Sequence, residues 1–294
     1  MRGWLLLTGE VHVVKRFSVA IPGSVVSDTP HLREKTAKLG AIARACSIFG
    51  VTEIILYPDD QHRDQAADLQ FCSDILTYIE TPQYLRRRLF KLSPTFRFTG
   101  ILPPLQIPSH NVPSSLAEVK VGDFRDGVVV ARNGSYVGVD AGLQETVKCQ
   151  GTHRVGERVT LQFIELRKEL RGEIVEASKI SIYWGYRVTR SKFPLASTIE
   201  RERFELKVGT SRYGTPVEEV WSEISKSLNS VESVLVTFGS PIMGLPEILS
   251  QEGRNPNGLF HFFVNTVSGQ QVATVRTEEA LFITLGILNA MKLK

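Results

Sequence analysis

The densest run of groups able to grip a small ligand is Gly258–Ala280, GLFHFFVNTVSGQQVATVRTEEA. Leu259 to Val264 predicts a short buried strand, Asn265 to Thr274 a polar loop containing Gly269, and Thr277 the start of a helix. A polar loop between an apolar strand and an apolar helix gathers backbone amides around one volume, because the first amides of a helix have no partner within it. Gly269 is expected to let the backbone approach a ligand closely. A second strand, Val234 to Phe238, ends at Gly239-Ser240-Pro241. Both strand ends would bring their loops to one edge of a sheet, and open α/β sheets bind ligands at such an edge.

Composition narrows the setting. At 294 residues there is room for one large domain or two ordinary ones, and 42% hydrophobic with 22% charged residues describes a soluble globular chain. The formal net charge is only +4, but Arg86-Arg87-Arg88, Lys91 and Arg97 form a local basic cluster of the kind that meets a polyanion at one face. Cys46, Cys72 and Cys149 lie far apart with no C-x-x-C spacing, and the six histidines lack ligand spacing. The expectation is therefore no disulfide framework and no metal, in a reducing compartment. Trp4 to Leu7 is too short for a signal peptide, and no run of about 18 apolar residues exists, so no membrane span and a cytoplasmic location are expected.

The elements that must position the two loops follow from periodicity. Phe17 to Ile21 reads as a strand, Pro30 to Phe49 as a helix ended by Gly50, Val51 to Tyr57 as a buried strand, and Asp60 to Thr81 as a second helix. Prolines 94, 103, 104, 108 and 113 then break the chain. Beyond them, Val128 to Arg132 and Ser135 to Val139 flank Asn133-Gly134, a strong hairpin signal, with further strands at Val159 to Glu165 and Gly172 to Ala177. This predicts a small β-barrel at 89–183 inserted into an α/β domain made of 1–88 and 184–294. Thr215-Pro216-Val217-Glu218 reads as a capping box opening a helix over 216–229, and Thr277 to Met291 as the last helix.

Three segments carry a resemblance: Leu39-Gly-Ala-Ile-Ala-Arg-Ala-Cys-Ser-Ile-Phe-Gly-Val-Thr-Glu-Ile-Ile-Leu56, Val236-Thr-Phe-Gly-Ser-Pro241, and Asn265 to Ala280. Together with Thr81-Pro-Gln-Tyr-Leu-Arg86, the chain resembles the SPOUT superfamily of RNA methyltransferases. Within it, the chain is similar to the archaeal and eukaryotic RNA uridine-N3 methyltransferase group, which carries an OB-like insert. The resemblance implies an α/β trefoil-knotted domain, a homodimer, S-adenosylmethionine as methyl donor, and RNA (ribosomal RNA in particular) as partner. It implies cofactor contacts from Gly239, Asn265, Thr266, Val267, Gln270, Thr274, Val275 and Thr277. Arg212 falls in a matching loop, Gly209–Gly214, where relatives tend to carry Glu-Arg in place of Arg212-Tyr213.

Arg44 matches the arginine that ribose methyltransferases direct at the target nucleotide, while Lys38 stands where that branch has Asn, a departure that leaves room for base methylation. Arg276 and Glu279, flanking the start of the last helix, complete the catalytic candidates; the same two residues could instead cap the helix. The RNA-contact candidates are Arg86, Arg87 and Arg88, just before the insert, and Arg97, Arg125 and Arg132 within it, the last three interleaved with Phe96, Phe98 and Tyr136. The favoured chemistry is methylation of a uridine base. The alternatives are 2′-O-ribose methylation and an RNA-binding assembly factor that has lost catalysis.

Overall fold

The computed structural model describes residues 16–113, 115–176 and 179–292. Arg16–Pro22 (β1) leads through a short 3-10 turn to Leu32–Ile48 (α1). The helix opens two residues after Pro30, with His31 extended before it, and closes at Gly50, whose φ of 70° is the left-handed conformation that stops a helix. Glu53–Tyr57 (β2) follows. The second helix, Ala66–Glu80 (α2), begins later than the sequence predicts. Asp59 is buried and takes Ser24 N–H and Oγ, while Gln65 Oε1 takes the Asp59 N–H, so 58–65 is held as a loop by side chains competing with the helix. A short helix not foreseen, Gln83–Leu89 (α3), comes next.

The barrel strands are Phe124–Asn133 (β3), Tyr136–Asp140 (β4), Val147–Gln150 (β5), Arg158–Glu165 (β6) and Arg171–Val175 (β7). Gly134, at φ 59°, makes the predicted hairpin turn between β3 and β4. The strands close in the order β3-β4-β5-β7-β6, antiparallel throughout except for the parallel pair β5–β7. Val129, Val137, Val139, Val147, Cys149, Leu161 and Phe163 alternate inward to fill the closed barrel.

The remaining elements are Arg187–Arg190 (β8), Leu195–Arg201 (α4), Leu206–Pro216 (β9), Trp221–Leu228 (α5), Ser233–Thr237 (β10), Leu245–Gln251 (α6), Phe262–Asn265 (β11) and Thr277–Lys292 (α7). The six other strands form one all-parallel sheet in the order β11-β9-β10-β1-β2-β8. Its central strands are buried along almost their whole length, as expected of a parallel sheet covered on both faces. Leu195, Ile199, Leu245 and Ile248 of α4 and α6 pack with Ala20, Ile55 and Leu235, and α1 packs on α7.

The chain divides into two compact units. One runs up to Leu76, takes in Ile101–Pro103 and resumes at Tyr186; the other comprises Thr77–Gly100 and Pro104–Gly185. Two predicted features change. The helix expected over 216–229 starts only at Trp221, because Thr215 and Pro216 extend β9 beside Val264 and Asn265, and Val217 N–H bonds Asn265 O at 2.9 Å. Glu218, cast as the capping acid, instead accepts from Ser268 Oγ at 2.8 Å.

One ion cluster pins three strands at the amino edge of the sheet. Glu53, 2% exposed, receives Arg16 at 2.8 Å, and Arg187, Ser18 Oγ and Thr189 Oγ1 at 3.0 Å each. Burial opposes its charge, but the hydrogen bonds and charges of Arg187 and Arg16 outweigh that and hold its carboxyl below the ordinary 4.5. A depressed acid lends stability that is complete above 4.5 and is lost as the pH falls through the folded value. Glu53→Gln is expected to cost about 2 kcal/mol at neutral pH and to remove part of the acid sensitivity. Urea denaturation at neutral and acid pH checks both; an equal cost at both pH values would contradict the assignment.

Candidate functional site

A cleft of about 210 Å³ opens at the carboxyl ends of β9, β10 and β11, and three segments wall it. The first is a detour in β9: Phe263 opposes Gly209 and Val264 opposes Thr215, so 210–214 leave the ladder and Thr210 to Tyr213 line the cleft. The detour needs Gly214, since a Cβ there would lie 2.4 Å from the Val264 carbonyl carbon. The second wall follows β10, from Phe238 to Glu247, and the third runs from Asn265 to Ala280. All nine residues expected to contact a cofactor, Arg212, Gly239, Asn265, Thr266, Val267, Gln270, Thr274, Val275 and Thr277, line this one cleft.

Three hydroxyls from three elements hold the second wall by its carbonyls. Thr210 Oγ1 donates to Thr237 O (2.9 Å), Tyr57 Oη to Phe238 O (2.5 Å) and Thr277 Oγ1 to Gly239 O (3.3 Å). Tyr57 is fully buried, and burial pushes its phenol well above the ordinary range, so it stays a donor. Gly239 is needed for room, not for a left-handed dihedral: an added Cβ would sit 3.0 Å from Gly244 Cα and from Met243 O. Asn265 binds across the cleft, its Nδ2 donating to Arg212 O (3.1 Å) while its Oδ1 accepts the Val267 N–H (2.9 Å). Gln270 Nε2 donates to Val272 O (2.9 Å), and Arg212 reaches Ala273 O (3.4 Å). Gly269 is exposed and has open space where a Cβ would stand, so the close approach expected of it is made by Gly214 and Gly239.

The catalytic candidates are placed differently. Arg44 is half-buried on α1 and does not line the cleft. Arg276 is exposed immediately before α7, and its backbone N–H donates to Glu279 Oε2 at 2.9 Å. That reach-back from the third helical residue is one half of a capping box, so the Glu279 carboxylate caps α7. Beside it lies a buried charge cluster built on Lys38. Lys38 is buried, with its ammonium 2.8 Å from Asp28 and 3.2 Å from Glu278. Burial works against the Asp28 charge, yet Lys38 brings its carboxyl below the usual value. The triad ties α1 to the first turn of α7, next to the cleft residue Thr277. The visible signal was Lys38 itself, a charge on the buried side of a helix.

In the barrel unit the six arginines separate. Arg87, Arg97 and Arg132 are exposed, and Arg88 is exposed but paired with Asp140. Arg86 donates to Thr81 O (2.9 Å) and Ile79 O (3.1 Å) at the end of α2 and lies over the Tyr78 ring. Arg125 is 2% exposed and donates to the carbonyls of Ala141 and Pro113. Arg86 and Arg125 are therefore held by carbonyls of the chain itself. Phe96 packs with Tyr78 and Phe90, which takes it out of the expected stacking set; Tyr136 remains exposed with Lys148 beside its ring.

Among the described residues no His, Cys, Asp or Glu cluster is placed to hold a metal ion, and no helix is long and apolar enough to cross a membrane. The chain is 32% identical to the 28S rRNA (uridine-N(3))-methyltransferase of Mus musculus, over 92% of this chain and 75% of that protein. With the human protein of the same description it is 31% identical, over 92% and 77%. It also shares 31% identity with an uncharacterized protein of Haloarcula marismortui, over 92% and 98%. The profile of the family described as "Putative RNA methyltransferase" spans residues 16–288, cleft and barrel alike, and the chain belongs to that family of RNA-methylating enzymes.

Proposed function

We propose that this enzyme methylates N3 of a uridine in ribosomal RNA with S-adenosylmethionine as donor. The observation that carries the donor assignment is the convergence of nine separately expected residues on one cleft at the carboxyl edge of a parallel sheet. The cleft suits such a ligand: Gly239 leaves a space that a Cβ would fill, and hydroxyls and backbone groups line the walls. The mouse, human and Drosophila relatives described as 28S rRNA (uridine-N(3))-methyltransferases support the substrate. In this reading the sheet unit is the knotted SPOUT domain (1–88 and 184–294), working as a homodimer. The barrel (89–183), whose order β3-β4-β5-β7-β6 suits an OB-like module, contacts RNA through Arg97 and Arg132, together with Arg87 and Arg88 just before it.

When bound, the donor supplies an electrophilic methyl carbon on a sulfonium. The protein's part is placement: the clamped 237–239 wall and the Asn265 tie fix the ligand relative to the incoming base. Alignment of this kind can provide about 7–11 kcal/mol of the barrier. Uridine N3–H is weakly acidic, so a cation such as Arg44 or Arg276 brought near the base would favour its anion without a strong general base. The target base must be unpaired or splayed to be reached.

Calorimetric titration with S-adenosylmethionine is expected to give micromolar binding, weakened about tenfold or more in Asn265→Ala because both the 212 and the 267 walls lose their tie. Mass spectrometry of ribosomal RNA treated with the enzyme should then find N3-methyluridine. Methyl found on a ribose hydroxyl, or donor binding with no turnover, would replace this reading.

A further inference from the structure

A second cleft, larger than the first at about 910 Å³, lies at the carboxyl ends of β2 and β8, walled by 58–69 and 188–194. All six strands of the sheet are parallel, so this cleft and the donor cleft share one edge. Their nearest strands, β10 and β2, are two strand spacings apart, about 10 Å. The rim carries three cations against two acids, and an exposed ring. Arg63, Arg190 and Lys192 line it and are exposed; Phe193, next along the chain, is 41% exposed, with the Arg201 guanidinium 3.9 Å from its ring centroid. Two of the acids present serve the protein's own turns: Asp60 Oδ1 accepts the His62 N–H and Asp64 Oδ1 the Ala66 N–H, both at 2.9 Å. Asp68 is 3.5 Å from Arg63.

We infer that this cleft seats the ribose-phosphate backbone of the substrate RNA beside the nucleotide being methylated, with Phe193 as a platform for a neighbouring base. The inference rests on the proposed function only in taking RNA as the substrate. Three cations around a concave site suit phosphates, and an aromatic ring within a basic strip is the combination that single-stranded nucleic acid requires. Its place on the donor's own edge gives the strand a hold close to the reacting base. Of the Arg187–Lys192 segment, RVTRSK, Arg190 and Lys192 reach this edge, while Arg187 is held by Glu53 at the other.

The test is binding of a fluorescent oligouridylate to the full chain across a salt series, with S-adenosylmethionine titrated in parallel. Arg190→Ala/Lys192→Ala is expected to lower RNA affinity about tenfold and to flatten the salt slope by about 1.4, the loss of two single-strand phosphate contacts. Phe193→Ala should lower affinity about tenfold with the slope unchanged, the mark of lost stacking. Donor binding should stay as in wild type in both variants, which also reports that they are folded. Unchanged affinity and slope in both variants, or a wild type that binds the donor but not the RNA, overturns the cleft assignment and leaves the donor site standing. Absence of donor binding with RNA binding still lowered by the variants overturns the donor reading and keeps the cleft.

Discussion

Gly239→Val is expected to reduce S-adenosylmethionine affinity at least about a hundredfold, roughly 2.7 kcal/mol, while the chain remains folded. The neighbours of the added carbon decide this. A Cβ at 239 would meet Gly244 Cα and Met243 O at 3.0 Å and Leu245 N at 3.1 Å, all backbone, so no side chain can swing aside. The wall must move as a body, yet its carbonyls at 237, 238 and 239 are held by Thr210, Tyr57 and Thr277. Either these hydroxyl bonds break or the wall shifts into the cleft, and both outcomes spoil a site that works by placement. Alanine carries the same first carbon without the two methyls, so Gly239→Ala should fall between wild type and valine. Calorimetry with circular dichroism as the fold control checks the order glycine, alanine, valine. A valine variant that binds the donor like wild type would move the donor site elsewhere.

The cleft walls were legible because two of them follow apolar runs that end abruptly in Gly, Ser, Pro or Asn. Val234–Phe238 and Leu259–Val264 read as buried strands followed by polar loops; the second is a strand only over Phe262–Asn265, half-buried at the sheet edge. The wall built from β9 was not legible as a strand. Thr210–Gly214 is polar, without alternation, because it is the part that leaves the ladder; the pairing with β10 and β11 lies on either side of it, at 206–209 and 215–216. The same pairing overrode the capping box at Thr215–Glu218, a case of long-range hydrogen bonds outranking a local signal. Side-chain roles were harder still. Nothing in the sequence separates Arg125, spent on two carbonyls, from Arg132, which is exposed: they pair with Leu161 and Val137, both of the barrel core, and differ because β3 is buried over 125–129 and exposed over 131–133. Tyr57, 181 positions from the carbonyl it holds, had no local signal at all.

Arg158→Met is the substitution expected to damage stability most, by about 3–5 kcal/mol, within the barrel unit. Its guanidinium bridges two buried carboxylates, donating to Glu80 at 2.5 and 3.0 Å and to Asp126 at 2.6 Å. Asp126 is fully buried and also takes Thr160 Oγ1 (2.7 Å) and Trp184 Nε1 (2.9 Å). Methionine fills much of the space but leaves two negative charges without their cation, and an uncompensated buried charge costs far more than the pair contributes. Removing the charges together should recover most of the loss, so Arg158→Met/Glu80→Gln/Asp126→Asn is expected to be closer to wild type than the single variant; the amide oxygen at 126 still accepts from Thr160 and Trp184. The pH dependence gives a sharper sign. Burial pushes the Glu80 carboxyl above the ordinary 4.5 even with Arg158 in place. A raised acid favours the folded state below 4.5 and loses that contribution as the pH climbs through the folded value. Without Arg158 the Glu80 carboxyl rises further, so the penalty should be largest at neutral pH and shrink as acid neutralises it. Trp184, hydrogen-bonded to the network itself, reports the local transition in a background with Trp4 and Trp221 replaced by phenylalanine. A penalty that grows on acidification would show that Arg158 acts through packing and not through charge.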